Sequence, residues 1–324
     1  MSERKKYKYD MKPLFEARIR KLLNGDNDFD AFEKIVHVGP RSFIRANTLK
    51  IDSDELFERL NKKWKVIRPF SEYKEIMLVD QKLMPGELGN AIEHLLGYYY
   101  IQEISSMMSA IALDVKPGDF VLDLCASPGS KTTQMAAMME NTGTLIANDL
   151  TINRIKILSA NLERCGASNC IITRNDAFSL SVRFRKAGLF FDKILLDAPC
   201  SGEGTLRSSP STFITWNQKV VKNLGRQQKK LIANAFGCLK AGGELVYSTC
   251  THSPEENEAV VDFALKNFSV NVEKINLPLK CRQGVEEWGD NRFDGNVKKC
   301  CRIYPHDNDS EGFFVAKFKL REEV

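Results

Sequence analysis

The segment DFVLDLCASPGSKTTQ, residues 119–134, sets the fold class. An apolar run that predicts a buried strand is followed by a short loop of small residues and then by a predicted helix. The loop lacks the G-x-G-x-x-G pattern of dinucleotide-binding turns. It also lacks the G-x-x-x-x-G-K-[ST] pattern, because Cys125 and Ser130 stand where that motif requires glycine. The segment therefore predicts an α/β unit whose first turn does not cradle a pyrophosphate.

The same alternation of strand, loop and helix continues towards the carboxyl terminus. Strands are predicted at GTLIANDL, NCIITRND, FDKILLDAP, AGGELVYSTC and GFFVAKFKL, and helices at NRIKILSANLERCG, over 212–240 and at PEENEAVVDFALKN, with Pro254 in the first turn of the last. This order predicts a doubly wound, mostly parallel sheet. The first 100 residues predict a small mixed α/β module, with helices at 11–23 and 51–63, the second capped by Ser53, and strands at KWKVIRPF and EIMLVD.

Acids and cysteines stand where the predicted strands end. In an open α/β sheet the carboxyl ends of the strands form the ligand-binding edge. The side chains at or just beyond these ends are expected to converge on one cleft: Cys125, Asp149, Asp176, Asp197, Cys200 and Cys250.

The acids and the first loop favour an adenosine ligand with a zwitterionic arm. Asp149 can accept two hydrogen bonds from a ribose diol, and Asp176 can accept one from an adenine amino group. The loop over residues 125–131 lies at a helix N-terminus, offers backbone N–H groups to a carboxylate and adds the cation Lys131. S-adenosylmethionine fits this set better than a dinucleotide. Each acid taken alone is also typical of an ordinary strand end or helix cap.

Two thiols at one cleft fit methyl transfer to carbon 5 of cytosine. That carbon is a poor nucleophile, and addition of a thiolate to carbon 6 activates it. A second thiol can assist elimination, and an acid such as Asp197 can bind the cytosine amino group and N3. This chemistry alone leaves open whether Cys200 or Cys250 is the nucleophile. Amino-group methylation requires no thiol, and the sequence from Asp197 to Cys200 does not match its usual motif.

The chain resembles the Sun-family (Fmu/Nop) RNA cytosine-5 methyltransferases over nearly its whole length, and most closely the archaeal-type tRNA enzymes. The resemblance is carried by IRANTLK (44–50), YIQEISSMM (100–108), DLCASPGSKTTQ (123–134), NDLTINR (148–154), DAPCSGEG (197–204), YSTCTHSPEENE (247–258) and YPHDNDSEGFF (304–314). It implies a class I methyltransferase (Rossmann-like) fold with S-adenosylmethionine as methyl donor. The main domain would span residues 101–324, and an RNA-binding module residues 1–100.

The resemblance also implies a role for each site residue. Cys250 would be the nucleophile, Cys200 would assist product release, and Asp197 would contact both the methionine part and the target base. Asp149 and Arg154 would face the ribose, and Asp176 the adenine. The loop at the methionine end would comprise Cys125, Ala126, Ser127, Pro128, Gly129, Ser130 and Lys131.

Two residues depart from the family pattern. Ser130 stands at a position where the family loop usually has glycine, so a positive φ there would cost about 1 kcal/mol. His252 follows Cys250 at i+2, where a small or apolar residue is common. A surface histidine is expected there, and an imidazolium that lowers the thiol pKa is the alternative.

Composition restricts the partners and the compartment. The chain of 324 residues has a formal net charge of +5, and residues 1–21 contain eight Lys/Arg and three Asp/Glu. This basic segment is suited to binding a polyanion, and it is also typical of a solvated helix face. No apolar run approaches the roughly 20 residues of a membrane span, and the start lacks the apolar core of a secretory signal. Nine cysteines without a C-x-x-C pair predict neither a disulfide framework nor a zinc ribbon.

A monomeric cytoplasmic enzyme without metal is expected. Its substrate is tRNA, with rRNA as the alternative and a catalytically silent RNA-binding factor as a weaker one.

Overall fold

The amino-terminal part of the chain carries a small antiparallel sheet. The structure, a computed structural model, describes residues 10–322. Its first elements are α1 (Pro13–Leu22), α2 (Asp26–Val36), β1 (Ser42–Ala46), α3 (Ser53–Asn61), β2 (Val66–Ile67), β3 (Ile76–Val79), α4 (Glu87–Asn90), α5 (Ile92–Leu95) and β4 (Tyr99–Ile101). The strands lie in the order β2-β3-β1-β4 and are antiparallel throughout. The small module of mixed helices and strands that is predicted for this part of the sequence is therefore present.

The rest of the described chain builds a large sheet with helices on both faces. Its elements are α6 (Ile104–Leu113), β5 (Phe120–Asp123), α7 (Ser130–Met138), β6 (Thr144–Asp149), α8 (Ile152–Cys165), β7 (Cys170–Arg174), α9 (Ala177–Lys186), β8 (Phe191–Asp197), α10 (Thr212–Thr215), α11 (Gln218–Phe236), β9 (Leu239–Thr249), α12 (Glu258–Asn267), β10 (Val270–Glu273), β11 (Arg282–Gln283), β12 (Glu287–Trp288), β13 (Asn291–Arg292), β14 (Cys301–Ile303), α13 (Pro305–Asn308) and β15 (Phe313–Leu320). The nine-stranded sheet runs β11-β14-β15-β9-β8-β5-β6-β7, with β10 beside β15. The strands from β9 to β7 pair in parallel, and β15 pairs with β9 antiparallel. The predicted doubly wound, mostly parallel sheet is confirmed.

Alternating side chains of the central strands fill two separate cores. In β8, Ile194 and Leu196 face the core covered by α11 and α12, whereas Leu195 faces the core covered by α6 and α7. All three side chains are inaccessible to solvent. Because successive residues of a strand point to opposite faces, an apolar run without polar interruption is what a strand covered on both faces requires. This burial fixes where β8 ends and therefore where Asp197 emerges.

Three local predictions are wrong in detail. Asp52, not Ser53, caps α3, because its carboxylate accepts hydrogen bonds from the backbone N–H groups of residues 54 and 55. Strand β7 ends at Arg174, and Asp176 instead caps α9. Pro254 precedes α12, which begins at Glu258, because residues 254–257 form turns.

The first two helices pack against the carboxyl-terminal part of the chain. Phe15, Phe29 and Phe32 share a buried cluster with Phe213 and Trp216. The small sheet has its own core, built around α3. Residues 13–36 thus contact the large body directly, and the domain boundary expected at residue 100 stays a prediction.

One disulfide differs from the expectation of reduced thiols. Cys281 and Cys301 are bonded, with their Cα atoms 5.1 Å apart. The antiparallel pairing of β11 with β14 places Cys301 opposite Gln283 and so brings it close to Cys281, which immediately precedes β11, although the two cysteines are 20 residues apart in sequence. Spacing rules based on C-x-x-C cannot detect a pair that is created by strand pairing.

Within residues 10–322, no helix has both the length and the apolar character needed to cross a membrane.

Three chain segments cross closely behind the carboxyl end of β9. The Gly204 N–H donates to the Cys250 carbonyl at 2.8 Å, and the Gly312 N–H donates to the Gly204 carbonyl at 2.8 Å. A Cβ atom on Gly204 would lie 2.2 Å from the Gly312 oxygen. Glycine at residue 204 is therefore required by the close approach of two backbones, not by its own φ angle.

The crossing predicts that Gly204→Ala is strongly destabilising. We expect the free energy of unfolding to fall by about 2 kcal/mol or more, because the added methyl group meets backbone that cannot move independently. Gly89→Ala is the control, since a Cβ there meets nothing within 4 Å and alanine favours a helix. Chemical denaturation of both variants measures the difference. Equal stability of the two would contradict the inferred crossing.

Candidate active site

A cavity of about 830 Å³ opens at the carboxyl ends of the parallel strands. Its wall brings together all six residues that stand at or after predicted strand ends. They are joined by Ser127 and Arg154, and the polar lining also includes Asn148, Thr151, Asn175, Gln227 and Lys230. Parallel strands end at one edge of a sheet, so the sequence order of these residues becomes spatial proximity.

The loop from Cys125 to Lys131 turns the chain from β5 into α7. Gly129 caps the helix with φ +101°, and α7 begins at Ser130. The positive φ therefore falls on glycine and not on Ser130, so the strain considered for Ser130 is absent. Ala126 packs beneath the loop against Ala147 and Leu158. Cys125 is held in the wall, where burial raises its thiol pKa.

Asp149 ties this loop to the end of β6. Its carboxylate accepts hydrogen bonds from Arg154 Nε at 2.9 and 3.0 Å and from the Ser127 N–H at 3.2 Å. Arg154 also donates to the Ser127 carbonyl at 2.8 Å. The three residues form one network at the cavity wall, as their predicted location requires. The carboxylate is already oriented before any ligand arrives.

Asp176 lies at the far end of the same cavity and caps α9. It accepts hydrogen bonds from the Ser179 N–H at 2.9 Å and from the Ser179 hydroxyl at 3.1 Å. The ring of Phe178, 49% exposed, lines the cavity beside it. The helix-cap role considered for this acid is therefore present, and contact with a ligand stays a prediction.

Asp197 lies between the first cavity and a second one. Its Oδ2 accepts a hydrogen bond from Lys131 Nζ at 2.7 Å, and its Oδ1 accepts one from the Ser248 hydroxyl at 2.7 Å. Lys131 also donates to the Ser106 hydroxyl at 2.9 Å. These contacts fix both carboxylate oxygens of Asp197 in position.

The second cavity, of about 460 Å³, shares Asp197 and Cys250 with the first. Pro128, Ser130 and Lys131 line this second cavity and not the first. The predicted loop is therefore divided: its beginning faces one cavity and its end the other. Sequence order alone could not distinguish the two sides, because the turn into α7 reverses the direction of the chain.

The two cysteines meet at the junction of the cavities. Cys200 Sγ and Cys250 Sγ are 3.2 Å apart. The contact with Cys250, together with burial, raises the pKa of Cys200 well above its usual range. Cys200 is therefore a neutral thiol near pH 7 and can donate its S–H to the sulfur of Cys250.

Two residues that the sequence analysis did not single out, Gln228 and Glu256, hold Cys200 in place. The Gln228 amide donates to the Pro199 carbonyl at 2.8 Å and to Glu256 Oε2 at 2.9 Å. The same Glu256 oxygen accepts the Ser201 N–H at 3.0 Å. Both peptide groups that flank Cys200 are thus anchored to one amide–carboxyl pair. The only signal in the sequence is the run PEENE after Cys250, and no spacing rule identifies which of its acids faces inwards.

His252 is buried and is not the surface residue that was expected. Its ring stacks on Tyr304 with centroids 5.1 Å apart, and a Cβ on Gly312 would lie 2.3 Å from it. Burial, together with the nearby Arg302 charge, lowers the His252 pKa to about 3. The ring is therefore neutral, so it supplies no cation to lower the pKa of a neighbouring thiol.

The carboxyl group of Glu256 makes stability depend on pH. Burial raises its pKa to about 7. Below about pH 4.5 the group is protonated in both the folded and the unfolded chain, and its stabilising effect is complete. Between that pH and 7 only the unfolded chain ionises, so folding stability falls, by up to about 3 kcal/mol.

Glu256→Gln should remove this dependence while keeping the acceptor oxygen. We expect the variant to gain stability relative to the wild type as the pH rises from 4.5 to 7.5, measured by urea denaturation. Glu255→Gln is the matched control. Burial opposes ionisation of Glu255, but Arg18, 2.7 Å away, lowers its pKa overall. Above about pH 4.5 the Glu255 carboxylate is ionised in both the folded and the unfolded chain, so that variant should keep a nearly constant stability relative to the wild type over the same range. Equal pH dependence of the two variants would refute the assignment.

Comparison with known proteins identifies the family. The family model described as 16S rRNA methyltransferase RsmB/F matches residues 110–319. A tRNA (cytosine(49)-C(5))-methyltransferase of Pyrococcus abyssi is 40% identical over 97% of this chain and 98% of its own length. Ribosomal RNA small subunit methyltransferase F of Shewanella piezotolerans is 43% identical over 86% of this chain but only 57% of its own length. This chain therefore spans little more than half of that relative.

Solved structures agree with this relationship. A methyltransferase homologue from Pyrococcus horikoshii superposes with a TM-score of 0.81 at 35% identity, covering 95% of this chain and 94% of its own. The structure of NSun6 from Pyrococcus horikoshii, determined with the S-adenosylmethionine analogue SFG, has a TM-score of 0.78 at 25% identity and covers 94% and 97% of the two chains. Fold, site and sequence agree, and the chain belongs to the RsmB/F family of methyltransferases, the Sun family that its motifs indicated.

Proposed function

We propose that this enzyme transfers a methyl group from S-adenosylmethionine to carbon 5 of a cytosine in RNA, and that its substrate is tRNA. The observation that carries the proposal is the pair of thiols, 3.2 Å apart, at the junction of two cavities. One cavity has the features of a donor site, and the other opens on the same reactive groups. Two substrates that approach from opposite sides would meet at Cys250 and Asp197.

The first cavity suits the methyl donor. Asp149 is preoriented for a ribose diol, and Asp176 and Phe178 line the end where an adenine ring would lie. S-adenosylmethionine supplies the methyl group when it is bound. Asp149 would hold it by hydrogen bonds to the ribose, and the loop at Cys125 and Ser127 would contact it.

The second cavity suits the target cytosine. In the proposed step, the thiolate sulfur of Cys250 forms a bond to carbon 6 of the base. Carbon 5 then takes up the methyl group, a base removes the carbon 5 proton, and the C6–S bond breaks to restore the thiolate. Asp197 would hold the amino group and N3 of the cytosine, with Lys131 fixing the carboxylate. The neutral thiol of Cys200 can donate its S–H to the sulfur of Cys250, an arrangement that suits Cys250 as the nucleophile and Cys200 as the group that assists release.

One observation supports tRNA over rRNA: the relative named as a tRNA methyltransferase is 40% identical to this chain over 97% of its residues. The presence of both thiols and of Asp197 argues against a catalytically silent RNA-binding factor.

We propose further that residues 1–100 contribute to RNA binding and that the enzyme is a cytoplasmic monomer. The basic residues Arg4, Lys5, Lys6 and Lys8 lie outside the described part of the chain. Bisulfite sequencing of RNA from cells with and without the gene tests the reaction and identifies the cytosine.

Asp149→Ala tests the donor site. We expect S-adenosylmethionine affinity to fall by about 1.5–3 kcal/mol, the scale of hydrogen bonds to a charged group. Isothermal titration measures it. Asp192→Ala is the control, because this acid lies at the opposite end of the sheet, where it accepts the Phe120 N–H. An unchanged affinity for Asp149→Ala would remove this acid from the proposed ribose site.

The two cysteines are distinguished by what accumulates when each is replaced. With RNA and S-adenosylmethionine present, Cys250→Ala should form no adduct and transfer no methyl group. Cys200→Ala should still add and methylate but release slowly, and so leave RNA-linked protein that survives denaturing electrophoresis. Cys170→Ala, which removes a thiol outside both cavities, should behave as the wild type.

The mirror-image result would reverse the two roles. An adduct trapped by Cys250→Ala and absent from Cys200→Ala would make Cys200 the nucleophile while leaving the reaction class unchanged. Thermal melts of both variants should stay close to the wild type, because each change removes a single sulfur atom beside an open cavity.

A further inference from the structure

Helix α11 carries a stripe of exposed cations. Lys219, Lys222, Arg226 and Lys230 are all exposed, and their spacing of three, four and four residues keeps them on one side of the helix. The helix contains no Asp or Glu. We call this set the α11 stripe. Its opposite side is buried against the large sheet through Val221, Ile232 and Phe236, so the orientation of the helix is fixed.

The cations of the α11 stripe are not neutralised by the described part of the chain. Over residues 10–322, no carboxylate lies within ion-pair distance of any of the four. Helix α9, which packs against α11, ends with further exposed cations, Arg183, Arg185 and Lys186. Both helices therefore present cations that are open to solvent.

The small amino-terminal sheet has the opposite arrangement. Lys65 pairs with Asp80 at 2.8 Å, and Arg68 and Lys74 both pair with Asp54, at 2.5 and 3.0 Å. Cations that already have a carboxylate partner release few counterions when a polyanion arrives. A count of cations alone would not distinguish the two regions, but the presence or absence of carboxylate partners does.

The α11 stripe begins at the rim of the first cavity, which is assigned to the methyl donor and which meets the second cavity at Asp197 and Cys250. Lys230 lines the first cavity, and Gln228, two residues earlier on the buried side, bonds to the Pro199 carbonyl beside Cys200. From Lys230 the stripe extends about 16 Å, the rise of eleven helical residues, to Lys219. It thus leads from the rim of the first cavity outwards over the surface.

We propose that the α11 stripe binds the phosphate groups of the RNA strand adjacent to the target nucleotide. The inference rests on the proposed function and adds the surface that positions the substrate. The stripe places cations without intervening acids in a row that begins at the rim of the first cavity. This arrangement fits a phosphate backbone, which presents a repeated negative charge along its length. Because such contacts involve no base edges, the stripe contributes affinity and register but not sequence choice.

The test is the salt dependence of RNA binding. The variant Lys219→Gln, Lys222→Gln, Arg226→Gln leaves Lys230 and the cavity intact. For single strands the slope of log affinity against log salt changes by about 0.7 per phosphate contact, so we expect it to become shallower by roughly 2. Affinity for a tRNA transcript should fall at least tenfold, KM should rise, and kcat at saturating RNA should stay unchanged. S-adenosylmethionine binding should also stay unchanged.

The matched control neutralises the same number of paired charges outside both the stripe and residues 1–100: Lys240→Gln, Lys280→Gln and Lys298→Gln. These cations pair with Asp192, Asp307 and Glu286 at 2.6, 2.6 and 2.7 Å. The control variant should keep the wild-type slope. An unchanged slope in the α11 variant, or an equal change in the control, would overturn the stripe while RNA methylation stands. Polyglutamate that competes as well as RNA of equal charge would assign the stripe to an acidic protein and overturn the RNA assignment. Absence of RNA binding by the wild type would overturn the proposed function itself.

Discussion

The contact between the two thiols is the constraint on which the rest of the site depends. Strands β8 and β9 are parallel neighbours, with Asp197 in register with Ser248. Each strand ends and turns within three residues, which brings Cys200 and Cys250 together. Neither loop could hold this position alone. Hydrogen bonds of Glu256 and Gln228 to the peptides around Cys200 fix one side, and the Gly204 N–H fixes the carbonyl of Cys250 on the other.

The same constraint explains why two cavities open on one pair of residues. A sheet edge offers a single row of strand ends, so a donor and an acceptor can approach only from its two sides. The loop after β5 separates them, with Ser127 facing one cavity and Lys131 the other. Asp197 is shared because both of its oxygens are fixed, one by Lys131 and one by Ser248. Fixed dipoles of this kind cost no reorganisation when charge develops on a bound base.

The sequence predicted what depends on local pattern. Apolar runs and the polar residues that follow them located the sheet and the residues at its edge, because burial on both faces of the sheet imposes these patterns. It did not predict contacts between distant segments. The Cys281–Cys301 bond, the burial of His252 against Tyr304 and the anchoring of Ser201 by Glu256 all join residues whose proximity follows only from the complete topology. The Asp52 cap was missed for another reason, because two adjacent residues were both suitable.

Charge gives the clearest case of this difference. A net charge of +5 and a basic start direct attention to the amino terminus. In the folded chain, however, what matters is which cations lack a carboxylate partner, and this depends on packing. Arg68 and Lys74 share Asp54, whereas Lys222 and Arg226 project from a helix that contains no acid. Because a cation that already has a carboxylate partner releases few counterions when a phosphate binds, the unpaired cations beside the cavity form the surface proposed to bind the polyanion. The buried side of the same helix supports Cys200 through Gln228, so one helix holds Cys200 in place and presents the charge that would bring the proposed substrate to it.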